Sequence, residues 1–185
     1  MTKNIKNALF IIGGLLCLHS SWLPVKGWLS QQLISYSWHE TINLNQKIKP
    51  WPWADTYPIA ELSFQRLNKS IVVLNGGDPT TLAFSAGAIA PFNQVLSTKP
   101  FVVAGHRDSH FSFLNEVFMN DIISLADSHG QSQLYQVEAI EIVDASTGQL
   151  PVLATNSQLV LITCYPFTNS GSDSNERYVI TAKRL

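Results

Sequence analysis

The sequence predicts a mainly β protein: a closed β-barrel with short helices, preceded by an N-terminal membrane-anchor helix. Three observations predict it. Residues Ala8 to Val25 form an apolar run that holds no Asp, Glu, Lys or Arg and a single histidine, His19. Pro50 and Pro52 then punctuate the chain. Beyond them the hydrophobic pattern breaks into short runs rich in Val, Ile, Leu, Tyr and Phe. Gly, Asn, Asp, Ser and Pro clusters separate most of these runs, as turns separate strands.

The apolar run follows Lys3 and Lys6. A spanning helix needs about 20 mostly apolar residues, so this one is just sufficient and leaves little room for tilt. A cleaved signal peptide is the competing reading. Against it, no small-x-small site follows the apolar core at once, and Trp22 and Trp28 stand where interfacial anchors would. A buried core helix is the third reading. Residues 1–27 are assigned as the anchor, which charge orients only weakly: Lys26, Lys47 and Lys49 follow it, while Lys3, Lys6 and the amino terminus precede it. From there Trp28, Leu29, Leu33, Ile34, Trp38 and Ile42 recur at helical spacing, so residues 28–50 read as an amphipathic helix and linker. This helix either lies on the membrane or packs on the domain. The prolines of Pro50-Trp51-Pro52-Trp53 are expected to stop it, since proline lacks an amide donor and pushes the preceding residue toward extended geometry. The folded domain is placed at 51–185.

Within it, strands are expected at Ile59 to Leu67, Ile71 to Leu74, Phe101 to Ala104, Asp121 to Leu125, Tyr135 to Val143, Leu159 to Thr163 and Arg177 to Ala182. Phe111 to Phe118 has mixed periodicity and fits a single helical turn. A mainly antiparallel barrel follows, because closure removes the unpaired strand edges. There is no internal repeat, and the sole low-complexity stretch is the polar tract Thr168 to Asn175.

Composition narrows the function. A hydrophobic share of 45% against 14% charged residues excludes disorder. A net charge of -1 without blocks of like charge offers no field for nucleic-acid phosphates. Cys17 lies in the anchor run, so a bridge to Cys164 would join a membrane helix to the far end of the barrel. Cys164 is therefore expected as a free thiol. Two cysteines fall short of a structural zinc site, and none of the five histidines sits in a metal-binding arrangement, so no metal or other cofactor is expected.

Three local features place reactive side chains at strand ends. The strand Val102-Val103-Ala104 runs into Gly105 and His106; Leu159 to Thr163 ends on Cys164 and is stopped by Pro166; and Arg177 opens the last strand. A rigid sheet with reactive groups at its strand ends fixes their geometry. Taken singly, each has an ordinary reading: a buried cysteine as a small hydrophobe, a structural histidine, a solvated arginine. Together they supply a nucleophile, its proton partner and a donor for a developing oxyanion.

The pieces AGHRDSHF, LVLITCYP and RYVITAKR, in that order, resemble the sortases. His106 and Cys164 are 58 positions apart (164 − 106), and Cys164 and Arg177 are 13 apart (177 − 164), which also fits. The texts PWPWADTYPIAELSF, VVLNGGDPTTLAF, GHRDSHFSFL and TCYPF resemble the proteobacterial class of the family, often called marine or GN-type. That resemblance runs from about Trp51 to the C-terminus. The chain departs from the family pattern at Asn93 to Pro100, where a Gly-rich turn is usual, and at Phe84 to Ala88, where a G-P-G-H-type run is usual.

The resemblance implies a β-barrel cysteine transpeptidase with Cys164 as nucleophile, His106 as proton donor to the leaving amine and Arg177 as substrate or oxyanion donor. It implies an exported protein substrate with an LPxTG-like C-terminal motif, an amine acceptor, and a single-pass inner-membrane protein whose domain faces the periplasm. His110 has no catalytic counterpart and is read as support for the His106 loop, and His129 as a surface turn residue. Two other classes stay open: an L,D-transpeptidase or papain-like hydrolase, and a membrane-tethered β module that binds a partner without chemistry. The first lacks its Ser-His-Gly ahead of Cys164, where Leu161-Ile162-Thr163 stand.

Overall fold

The structure, a computed structural model, describes residues 2–147, 157–168 and 175–185. Most of the polar tract 168–175 lies outside them. One helix, α1, runs unbroken from Thr2 to Leu44 and carries Pro24 in its interior. Its first half leaves Leu9, Phe10, Ile11, Leu15, Leu16 and Leu18 exposed. From Leu9 it is long and apolar enough to cross a membrane once, with no part of its most apolar stretch buried by the rest of the chain.

Its second half packs on the domain. Ile34 and Trp38 are buried, joined by Ser30, Ser37 and Thr41, while Trp28 and Leu29 remain exposed. The Trp38 indole donates to Glu61 at 3.3 Å. The helix ends at Leu44, six residues before Pro50, and this corrects the expected stop. Asn45 adopts a left-handed φ of 51°, and the Gln46 amide reaches back to the Thr41 carbonyl at 3.3 Å. That is the Schellman way of satisfying orphan helix carbonyls. The prolines are not the cause.

Eight strands follow: β1 (Pro58–Phe64), β2 (Lys69–Asn75), β3 (Ala86–Ala88), β4 (Phe101–Ala104), β5 (Ile122–Asp127), β6 (Ser132–Asp144), β7 (Gln158–Cys164) and β8 (Glu176–Arg184). They close into a barrel in the order β1-β2-β3-β4-β7-β8-β6-β5. All neighbours are antiparallel except β2 with β3 and β4 with β7. The expected helical turn is a 3₁₀ turn at Ser112–Glu116.

Two elements carry no periodic signal in the sequence. Helix α2 (Pro79–Phe84) is six residues long; Asp78 caps it by accepting from the Thr81 amide, and proline opens it. Strand β3 is Ala-Gly-Ala, too short to alternate. A Cβ on Gly87 would lie 1.9 Å from the Gly76 carbonyl oxygen, so the backbones approach as closely as glycine alone permits.

The core has two parts. Leu62, Phe101, Val103, Leu159, Leu161 and Ile180 are among the residues filling the barrel. Val102, Val160, Ile162 and Val179 form a second cluster, covered by Ile89, Phe92 and Val143. Strand β7 therefore buries both faces, which is why it reads as one continuous apolar run.

Candidate active site

The strand register brings the three expected residues to one place. Cys164 is paired directly with Arg177 across the antiparallel β7–β8 ladder. Side chains alternate faces along a strand, so Cys164 shares the face of Val160 and Ile162, and Arg177 that of Val179. Residues directly opposite on one face are near neighbours. On the other flank β4 runs parallel to β7 with Ala104 opposite Ile162. The Gly105 amide continues that ladder to the Ile162 carbonyl at 3.1 Å. His106 therefore lies two residues beyond Ala104, as Cys164 lies two residues beyond Ile162. Histidine, cysteine and arginine sit on three adjacent strand ends.

Their surroundings differ in exposure. Cys164 is a free, half-buried thiol, Arg177 is half-buried and His106 is exposed. Arg177 donates to the Glu176 carbonyl at 2.9 Å. On the barrel side of the β7–β8 ladder, the rings of Tyr165 and Tyr178 stack with centroids 6.3 Å apart, and Phe167 meets Tyr178 edge-on at 5.1 Å. Burial, then the neighbouring Tyr165, pushes the Tyr178 phenol up, so it stays neutral. This aromatic group packs against the barrel core, on the face of the ladder opposite that of Cys164.

The histidine loop is held by residues that sequence patterning passed over. A Cβ on Gly105 would fall 2.8 Å from the Phe111 ring, so Gly105 lets that ring pack beneath the loop. The His106 carbonyl accepts from the Phe111 amide at 3.0 Å and the Ser109 amide at 3.4 Å. Arg107 donates to the Pro166 carbonyl at 2.7 Å and approaches Asp108 at 3.4 Å. It thereby fastens the histidine loop to the segment after Cys164. Thr163 adds a second tie, its hydroxyl donating to the Gly105 carbonyl at 2.7 Å. The partner of Arg107 is 59 positions away in sequence, so no local signal announces it. His110 is half-buried: burial pushes its imidazole down, the Ala83 carbonyl opposes that, and His106 adds to the lowering. His129 lies exposed in the turn after β5. Among the described residues no three His, Cys, Asp or Glu side chains converge as metal ligands would.

The model of the family described as "Sortase domain" matches residues 62–185, well over half of the chain. The chain belongs to the sortase family. It is 28% identical over 125 residues to sortase D of Bacillus subtilis (strain 168), a match covering 67% of this chain and 62% of that protein. Among solved structures it resembles sortase A from Corynebacterium diphtheriae, with TM-score 0.63 and 24% identity over 72% of this chain and 63% of that one. It also resembles a Clostridium perfringens sortase D5 transpeptidase, with TM-score 0.66 and 16% identity over 85% of this chain and 98% of that one. At such identities the solved structures speak to the fold, and they agree with a closed, mainly β sortase barrel. The chain spans a little over three fifths of the first two relatives. The sortase match begins inside β1 and takes in all of the strand ends that carry His106, Cys164 and Arg177.

Proposed function

We propose that this sortase is a cysteine transpeptidase using Cys164, His106 and Arg177. The observation that carries the reading is the register: Cys164 opposite Arg177 on one face, with His106 at the end of the parallel neighbouring strand. The Cys164 thiolate attacks the carbonyl carbon of the residue before the scissile bond. The resulting oxyanion takes hydrogen bonds from Arg177, whose planar fork suits that role. As the intermediate collapses, the C–N bond breaks, His106 gives its proton to the leaving amine, and a thioester remains. An incoming amine then attacks the thioester and loses a proton to His106, and Cys164 departs as thiolate. Protons and charge balance over the cycle, and no cofactor enters it.

The substrate is an exported protein with an LPxTG-like motif near its C-terminus, a choice supported by the family resemblance of the motifs around His106 and Cys164. Residues 1–27 act as a single-pass anchor in the inner membrane, 28–50 as a helical linker, and 51–185 as the catalytic domain facing the periplasm. The long, exposed apolar helix supports anchoring, and the marine or GN-type texts support the compartment.

The test is incubation of the full chain, in detergent, with LPxTG peptides and amines, the products read by mass spectrometry. A ligated product that requires Cys164 is expected. A Cys164 that resists alkylation in the folded protein, with no acyl transfer, would leave a binding module.

A further inference from the structure

His106 and Cys164 follow neighbouring parallel strands, and the hydrogen bonds that join their two chain segments fall on either side of them. Ahead of the pair, the Gly105 amide donates to the Ile162 carbonyl at 3.1 Å, and the Gly105 carbonyl accepts from the buried Thr163 hydroxyl at 2.7 Å. Both polar groups of the residue before His106 are thus held by the two residues before Cys164. Beyond the pair, Arg107 Nη1 donates to the Pro166 carbonyl at 2.7 Å. The two side chains therefore stand between two cross-ties, one at Gly105 and one at Arg107.

We propose that Arg107 is a positioning residue of the transpeptidase reaction: its bond to the Pro166 carbonyl holds the His106 imidazole within reach of the amine that leaves as Cys164 is acylated. The proposal rests on the transpeptidase reading.

Three features fit Arg107 to that task. Its side chain is only 18% exposed, and a hydrogen bond from a cation is about twice as strong as one between neutral groups. Its fork faces the protein, with Nη1 on Pro166 and Nε 3.4 Å from Asp108. Both ends of the tie are themselves anchored. The Ser109 and Phe111 amides close on the His106 carbonyl, so Arg107 lies inside a compact turn. The Tyr165 amide donates to the Glu176 carbonyl at 3.1 Å, so Pro166 follows a residue fastened to β8. Loss of Arg107 leaves the tie at Gly105, and His106 can pivot about it. A misplacement of about 1 Å can cost about a hundredfold in a positioned step.

The full chain in detergent is acylated in single-turnover reactions by two substrates, an LPxTG peptide and the same acyl sequence as an aryl thioester. Intact-mass spectrometry follows the acyl-enzyme. An amine must be protonated to leave, whereas an aryl thiolate departs without a proton, so only the first substrate needs His106. Arg107→Ala is expected to slow acylation by the peptide about tenfold to a hundredfold and acylation by the thioester no more than about threefold. Arg107→Lys, whose ammonium ends one atom short of Nη1, should show the same split. In a His106→Ala background, Arg107→Ala should add nothing, because it acts through that ring. Equal losses on both substrates, no loss on the peptide, or a further loss on top of His106→Ala would overturn the proposal. So would alanine and lysine variants that both fail to melt cooperatively, since Arg107 would then hold the fold and not the imidazole. A wild type that the peptide does not acylate removes the transpeptidase reading and the proposal with it. A wild type that it does acylate, with no split in the variants, removes only the role of Arg107.

Discussion

Strands β1 and β7 are both seven residues long, yet the barrel treats them differently. β1 alternates buried and half-buried positions, with Ala60, Leu62 and Phe64 turned inward. β7 is buried from Gln158 to Thr163, with Leu159 and Leu161 in the barrel and Val160 and Ile162 in the outer cluster. A strand clamped on both faces holds its end residue still, and the end residue of β7 is Cys164. The wall β4-β7-β8 is thus the rigid platform, while β5 and β6 close the barrel and meet solvent, and β1 carries α1 on its outer side through Trp38 and Glu61. Reactive groups belong on the platform, and the following substitutions break or sharpen that contrast.

The largest effect is expected at the platform's tip. Cys164→Ala should lower transpeptidation by at least about a thousandfold, while Cys17→Ala, in the exposed anchor, leaves it unchanged. Peptide ligation followed by mass spectrometry decides, and turnover surviving in Cys164→Ala would sink the assignment.

Next comes Arg177, opposite Cys164. Arg177→Lys should cost nearly as much as Arg177→Ala, about a hundredfold in kcat/KM, because an ammonium is a point charge and cannot reproduce the fork. If lysine restores most of the rate, charge alone matters and the register argument loses its force.

Packing supplies the third comparison. Leu161→Ala, wholly buried on β7, should destabilise the protein by about 2–5 kcal/mol. Ile142→Ala, half-exposed on β6 at 49%, should stay within about 0.5 kcal/mol. Urea titrations measure both. Equal losses would mean that β6 is as tightly held as β7 and that the platform is not special.

The sequence made the platform legible and much of its support invisible. β4 and β7 are apolar runs ended by glycine and proline, so both strands and their terminal residues could be read directly. β3 and α2 were hidden, because Ala-Gly-Ala has no alternation and six residues are too few for a helical period. The amphipathic stretch of α1 was legible as helix, but its buried stripe runs through Ser30, Ser37 and Thr41, polar residues that hydrophobic spacing skips. The fastenings of the histidine loop were hidden for another reason. Arg107 with Pro166 and Thr163 with Gly105 are pairs 59 and 58 positions apart, and only the closed barrel brings them together. Family resemblance supplied the roles of Cys164, His106 and Arg177, which periodicity alone left open.

The smallest expected effect lies on the opposite wall, where charge takes the place that two-sided burial holds at β7. Arg66, in the turn between β1 and β2, donates to both carboxylate oxygens of Asp121, at 2.7 and 2.8 Å. It also donates to the Glu116 carbonyl and lies over the Phe118 ring, 4.6 Å from its centroid. It thus pins the segment that leads into β5. The hydrogen bond from Arg66 lowers the Asp121 carboxyl below its ordinary value, burial opposes that, and the Phe118 amide adds to the lowering. A carboxyl lowered in the folded state stabilises the fold when ionised. That contribution is complete above the unfolded value of about 3.9 and drains away as pH falls through the lower folded value. Asp121→Asn, which is not ionised at any pH, should therefore melt below the wild type at neutral pH, and the gap should narrow once pH drops under about 4. The pair is partly solvated and screened, so the gap should be smaller than the Leu161→Ala loss and should shrink further in salt. Thermal unfolding of both proteins from neutral to acid pH reads it. A gap that keeps its size down to the acid limit would mean that Asp121 acts through packing and hydrogen-bond shape, not charge, and that the two walls are held by the same kind of force.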